Sequence, residues 1–368
     1  MDPFFNMEPI GYHRDGRPIW PIKGGAEQVF NVAQLGRQAG TFYEPGTAVA
    51  GAVLYPVSEN VNIDLDRASQ YPVEDYGENW DAHSTRGSHG VRGATLSINS
   101  EARYQDLQEM LESHWEGDVA PAVGVWEYLL ETGAPTLVPM TLRSGSETAQ
   151  DQWAARSVLI DELTLGFDDL DAPGHHPWMV DASCLAVDRE LSALTVGVSA
   201  PATLSTIAGQ HSRIYLGDVA TAFAAIAELE WHLISFQIVT RRHLVLRPYG
   251  STADLALGYG FSAKSEGELT FKLRISASTK TLIHDAWNSS GAELGEIRGR
   301  VTTTDPGSSL SKILDFRTGL TAVPVGERDG ERVYECTGKL IKDDTLGAPA
   351  KITLDNGVAS LASAAGGS

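Results

Sequence analysis

The pattern of apolar and polar positions contains one unit that occurs twice, a β-strand running directly into an amphipathic helix. In the first copy, residues 93–100 alternate, with Ala94, Leu96 and Ile98 on one face and Thr95, Ser97 and Asn99 on the other. That is the two-residue period of a half-buried strand. Ser100 stands where a helix cap is expected, and Tyr104, Leu107, Met110, Leu111 and His114 recur at three-and-four spacing. Together they predict a helix over 101–115 with one apolar face. In the second copy, Leu269, Phe271, Leu273 and Ile275 alternate with polar neighbours, and Leu282, Ile283, Ala286 and Trp287 mark the apolar face of a helix over 278–287. A strand-helix pair cannot bury two apolar faces by itself, so each copy is expected in its own β-domain with the helix packed on a sheet.

The surroundings of the two units also correspond. Before the first, an alternating stretch through Val61, Ile63 and Leu65 leads into a long polar connection from Arg67 to Arg92. After it come strand-like runs at 125–130 and 137–142 and a hairpin of 157–167 with 178–187. In the second half, a strand over 227–239 leads into a polar connection from Arg242 to Glu266. The strand and helix follow, then a strand at 296–303 and a hairpin of 313–325 with 332–341, whose turn holds Asp329-Gly330, a strong hairpin signal. Residues 351–354 offer one more strand. Cys184 and Cys336 fall on corresponding final strands. Identity between the halves is low, so the repeat rests on order and loop length. The expected division is an extended arm over 1–40, a first repeat over 41–200, a linker over 201–211, a second repeat over 212–356 and a flexible C-terminal segment over 357–368.

Composition narrows the function. With 42% apolar and 21% charged residues in 368, the chain supports ordinary cores and two domains or so. A net charge of −20, from 48 acidic against 28 basic residues, argues against a large phosphate-binding surface. An acidic surface is nevertheless suited to passing DNA without adhesion. The two cysteines sit in apolar runs and read as small buried hydrophobes. Neither a signal-peptide pattern nor an apolar run of about 18 residues is present, which gives the expectation of cytosolic synthesis without a membrane span.

The search for chemistry is negative. Asp168, Asp169, Asp171 and Gly174 hint at a calcium loop, but Pro173 and Val180 occupy positions such a loop needs for ligands, so a polar hairpin loop is the better reading. His83, His89, His175 and His176 lack ligand spacing. Ser309 to Lys312 matches S-x-x-K without its partner motifs. No catalytic residue, metal site or cofactor is expected.

Glu44-Pro45-Gly46-Thr47, the strand pair around 57–67, the long loop to Gly93 and the strand-helix unit resemble the tail tube (major tail) proteins of long-tailed bacteriophages of actinobacterial type. So does the hairpin from Leu310 through Asp315-Phe316-Arg317-Thr318-Gly319 and Pro324 to Asp329-Gly330-Glu331-Arg332-Val333-Tyr334. The resemblance covers about 41–354 and rests on arrangement. It implies a mainly β fold of two tandem tail-tube β-sandwich or barrel domains, each with one flanking α-helix, related to the type VI secretion tube protein. It also implies subunits that join sheets side to side into stacked rings, giving a conduit for double-stranded DNA in the virion tail, assembled in the host cytoplasm. Tail terminator, tape measure and distal tail proteins are the implied partners. The long loops would make the ring-to-ring contact, through Arg67, Tyr71, Asp75, Tyr76, Trp80, Arg86, His89 and Arg92 in the first repeat and Arg242, His243, Arg247, Tyr249, Asp254 and Tyr259 in the second. The arm lies outside the family pattern, and its Tyr12, Arg14, Arg17 and Trp20 are read as docking residues. Two repeats per chain predict three chains per ring with pseudo-sixfold symmetry. The alternatives are another virion component, such as a head decoration or adaptor protein, and a carbohydrate-binding β-sandwich.

Overall fold

The computed structural model describes residues 11–12, 18–19, 31–38, 49–55, 63–70, 88–122, 124–131, 137–146, 152–170, 174, 176–198, 205–229, 232–249, 256–288, 295–328 and 330–358. The fold is mainly β, with large antiparallel sheets. The first half contains β1 (Gly11–Tyr12), β2 (Pro18–Ile19), β3 (Asn31–Arg37), β4 (Val53–Tyr55), β5 (Ile63–Gln70), β6 (Ser88–Glu101), helix α1 (Leu107–Glu112), β7 (Glu116–Ala122), β8 (Val125–Leu129), β9 (Met140–Ser146), β10 (Trp153–Phe167), β11 (Met179–Ala186) and β12 (Asp188–Leu191). The second contains β13 (Ser212–Gly217), β14 (Leu233–Arg241), β15 (Leu244–Tyr249), β16 (Ala256–Phe261), β17 (Glu266–Arg274), helix α2 (Ala277–Asn288), β18 (Glu296–Thr304), β19 (Ser311–Ala322), β20 (Val325–Arg328), β21 (Glu331–Leu340) and β22 (Ala350–Asp355).

The pairings repeat. In the first half β5, β6, β11 and β10 lie side by side in that order, and in the second half β14, β17, β21 and β19 do the same. A second set, β3, β9 and β10, recurs as β13, β18 and β19. Even the register corresponds: Cys184 pairs with Leu96, which pairs with Ile63, while Cys336 pairs with Phe271, which pairs with Phe236.

Strand β10 belongs to both sets because it bends. Its first residues pair with β9 and β12 and its later ones with β11. Between them Ser157 takes a left-handed φ of 52°, and register shifts flank it. Such a bulge re-aims a strand from one sheet to another. The unusual backbone is held by Gln38, whose Oε1 accepts from Ser157 Oγ (2.9 Å). In the second half the strand is interrupted at residues 323–324, the counterpart of the second of these shifts, so β19 and β20 together correspond to β10.

Several expectations need adjustment. The first helix spans only Leu107–Glu112, because pairing of Glu101 with Met179 extends β6 past the expected cap. Ser100 therefore sits in the strand, where its Oγ shares a hydrogen bond of 3.0 Å with Tyr55 Oη, and Asp106 takes the N-cap position. Residues 31–37, expected in the arm, form β3 and pair with β9. The polar connection from Arg242 to Glu266 holds the hairpin of β15 and β16. The second helix, Ala277–Asn288, and the turn at Gly330, with φ of 82°, agree with the pattern.

One apolar cluster runs through both halves. Phe167, Trp178, Phe236 and Phe316 form a row of ring contacts with centroids 5.1, 5.6 and 6.0 Å apart, which carries the core across the junction. The buried Lys312 ends at this row, its Nζ over the Trp178 ring. Burial pushes its amine well below the usual range.

Candidate assembly surfaces

The two halves meet edge to edge. Residues Glu162 to Phe167 of β10 pair with Arg241 to Phe236 of β14, so the last strand of the first four-strand order is hydrogen-bonded to the first strand of the second. This ladder buries Leu163, Leu165 and Phe167. The equivalent strand of the second half is β20: Val325 pairs with Tyr334, two residues before Cys336, as Leu163 pairs with Ala182, two residues before Cys184. Among the described residues β20 has a ladder only with β21, and β5, the counterpart of β14, only with β6. The consequence is direct, because Leu163 is 1% exposed and Val325 is 57% exposed. Unpaired strand edges of this kind are templates for another chain.

The helices differ in the same sense. All six residues of α1 are buried, and the second half helps to enclose it: Asn356 Nδ2 donates to Gln108 Oε1 (2.6 Å), while just before the helix the Tyr104 N–H donates to the carbonyl of Ser205 in the linker (3.1 Å). Helix α2 buries Ile283 but leaves Lys280, Thr281, His284 and Trp287 exposed. The second half thus covers surfaces of the first whose counterparts on itself are bare.

The predicted contact loops resolve into different roles. Arg67 pairs in register with Arg92 and Ser69 with His89, so the first loop is a continuation of the β5–β6 hairpin. Tyr71, Asp75, Tyr76, Trp80 and Arg86 lie outside the described residues, as do Arg14, Arg17, Trp20 and Asp254; Tyr12 is in β1 and Tyr249 in β15. In the second loop Arg247 is exposed and His243 half-buried beside Glu266 (3.2 Å). Arg242 and Tyr259 point inward, which is a correction to their reading as ring-to-ring contacts. The single Tyr259 Oη–H lies between the carbonyls of Ser157 and Leu185 and is shared by them, fastening the hairpin to the bend of β10. Arg242 Nη2 meets Glu116 Oε1 at 2.6 Å with side chains 1% and 3% exposed, and its Nη1 donates to the Leu130 carbonyl (2.6 Å) and to Ser265 Oγ. Sequence reasoning missed this pair because its members are 126 residues apart.

Beside it lies His114. Its Nδ1 is 2.9 Å from the Ile160 carbonyl and its Nε2 is 2.7 Å from Thr240 Oγ1. A carbonyl only accepts, so Nδ1 carries the proton and the Thr240 hydroxyl donates to Nε2. Burial, with a smaller push from the charge of Arg242, lowers the imidazole to about 3 against the help of these bonds. Asp106 shows the opposite shift. Both its carboxylate oxygens are buried without a hydrogen-bond partner, and burial raises it to about 6, opposed by Arg103. Because the folded value lies above the ordinary one, its unfavourable contribution grows as pH rises from about 4 to about 6 and is fully present at neutrality. Asp106→Asn should therefore stabilise the fold by on the order of 2 kcal/mol at pH 7, with the gain vanishing below about pH 4. Chemical unfolding at both pH values checks this.

On the exposed face of the paired strands three cations are held in cross-strand ion pairs: Arg241 with Glu162 at the junction itself, Lys272 with Glu335 (3.0 Å) and Arg274 with Glu331 (3.4 Å). Among the described residues no cluster of three His, Cys, Asp or Glu side chains is placed to hold a metal, and no helix is long and apolar enough to cross a membrane. Both cysteines are free and buried. No protein-family model matches the chain, and no curated protein matches it.

Proposed function

We propose that this chain is a structural subunit that polymerises through its sheet edges into rings, and that the rings stack into the tail tube of a long-tailed bacteriophage, the conduit for its genome. The observation that carries the reading is the head-to-tail joint inside the chain. One four-strand order is already joined by its last strand to the first strand of its copy, and among the described residues the two outer strands of the combined array, β5 and β20, have open edges. A repeating joint with two free ends extends until the rotation closes it, and closure removes every edge. Three chains then supply six repeats.

The ion-paired face supports the conduit role. DNA affinity grows with the number of free cations that displace counterions, and here Arg241, Lys272 and Arg274 are each held by a carboxylate. Among the described tryptophans Trp115, Trp126 and Trp178 are buried and Trp153 is covered by Arg189, 3.5 Å above its ring, which leaves Trp287 as a single exposed ring rather than a platform for a glycan. Electron microscopy of the purified protein tests the proposal. Hollow tubes with three chains per ring are expected. Six chains per ring would overturn the stoichiometry, and a protein that remains dispersed at all concentrations would overturn the reading.

A further inference from the structure

We infer that β20 of one copy pairs antiparallel with β5 of the next in one defined register, with Val325 opposite Arg67, Gly326 opposite Asp66, Glu327 opposite Leu65 and Arg328 opposite Asp64. The inference rests on the edge-joining reading above and adds to it the identity of the seam. The register follows from the joint within the chain. There Leu163 pairs with Thr240, Thr164 with Val239, Leu165 with Ile238 and Gly166 with Gln237. Counting from the Cys184 and Cys336 rows converts β10 into β20, since Ala182 pairs with Leu163 and Tyr334 with Val325. Counting from the Leu96 and Phe271 rows converts β14 into β5, since Phe271 pairs with Phe236 and Leu96 with Ile63.

Two independent features agree with this seam. The transferred register puts Arg328 at the position opposite Asp64, and opposite charges directly across an antiparallel pair are favourable. A slip by one residue would put it opposite Leu65 or Ile63 and would interchange the two faces of the strand. Val325, one of four large apolar side chains exposed among the described residues, is also the residue the seam would cover. The seam has less support than the joint inside the chain. There β22 also pairs with β8, a strand that follows α1. Assembly and disassembly should therefore proceed by whole chains, through the β20–β5 ladder.

The test uses the full chain with Gly326→Cys and Asp66→Cys together, oxidised after assembly and separated without reductant. Covalent species are expected up to the number of chains in a ring, while Gly326→Cys with Arg67→Cys, displaced by one residue, should link at least tenfold less. A second variant, Val325→Lys, adds a charge to a side chain that is already mostly exposed, so its melting temperature should stay that of the unmodified protein while assembly is lost. Tubes that form normally in Val325→Lys, or that crosslink at the displaced pair and not at the expected one, would overturn the seam and leave the tube reading standing. Failure of the unmodified protein to form rings or tubes would overturn the reading itself.

Discussion

Replacing Arg242 by methionine is expected to destabilise the protein by about 3–5 kcal/mol, the usual cost of leaving a buried charge without its partner. The partner is Glu116, 3% exposed, and loss of the guanidinium also removes the bonds to the Leu130 carbonyl and to Ser265 Oγ. The effect should exceed that of a surface pair such as Lys272 with Glu335, each about two-fifths exposed, where removal of one partner costs about 0–1 kcal/mol. The double replacement Arg242→Met with Glu116→Gln should recover a large part of the loss, because it also removes the negative charge that Arg242 neutralised. Denaturant unfolding of the single and double variants decides the point. A single variant within about 1 kcal/mol of the parent would show that Glu116 finds water or another donor. The site matters beyond stability, since Arg242 follows β14 directly and Glu116 opens β7, so the pair clamps the two halves beside their shared ladder.

The second large effect concerns acid. His114 is neutral in the fold and lowered to about 3, while an unfolded chain protonates it near pH 6.5. Between those values the unfolded state binds more protons, so stability falls as pH drops from about 6.5 towards 3. The loss is about 1.4 kcal/mol for each pH unit crossed, roughly 5 kcal/mol in all. Asp106 works against this between about pH 6 and 4, where the folded state takes up a proton that the unfolded state does not. Two variants separate the contributions. His114→Gln should flatten the stability profile between pH 6 and 4, and Asp106→Asn should make the acid loss steeper over the same interval. Parallel profiles for the parent and His114→Gln would mean that the imidazole is protonated in the fold with little cost, by the Thr240 hydroxyl turning to the Leu163 carbonyl 3.2 Å away.

What was legible in the sequence was whatever depends on local period and order. The alternation of Ala94, Leu96 and Ile98 and of Leu269, Phe271 and Leu273 identified β6 and β17, because a half-buried strand imposes a two-residue period on its own residues. The apolar spacing of Leu282, Ile283, Ala286 and Trp287 gave α2 for the same reason, and Asp329-Gly330 marked the turn before β21. The correspondence of the halves was visible as a succession of elements, without any pairing being known.

Only the tertiary structure decided the rest. Ser100 and Glu101 read as a helix start from local signals, yet the partner strand β11 holds them in β6, and pairing across a sheet overrides cap preference. Arg242 and Tyr259 lie in a polar stretch that reads as an exposed loop, but they are buried because Glu116 and the β10 bend come to meet them from the other half of the chain. The joint of β10 to β14, and with it the distinction between a covered Leu163 and an exposed Val325, has no sequence signature at all. Alternation within a strand says which residues share a face, whereas the neighbour at its edge is chosen by backbone hydrogen bonds that every residue but proline offers alike.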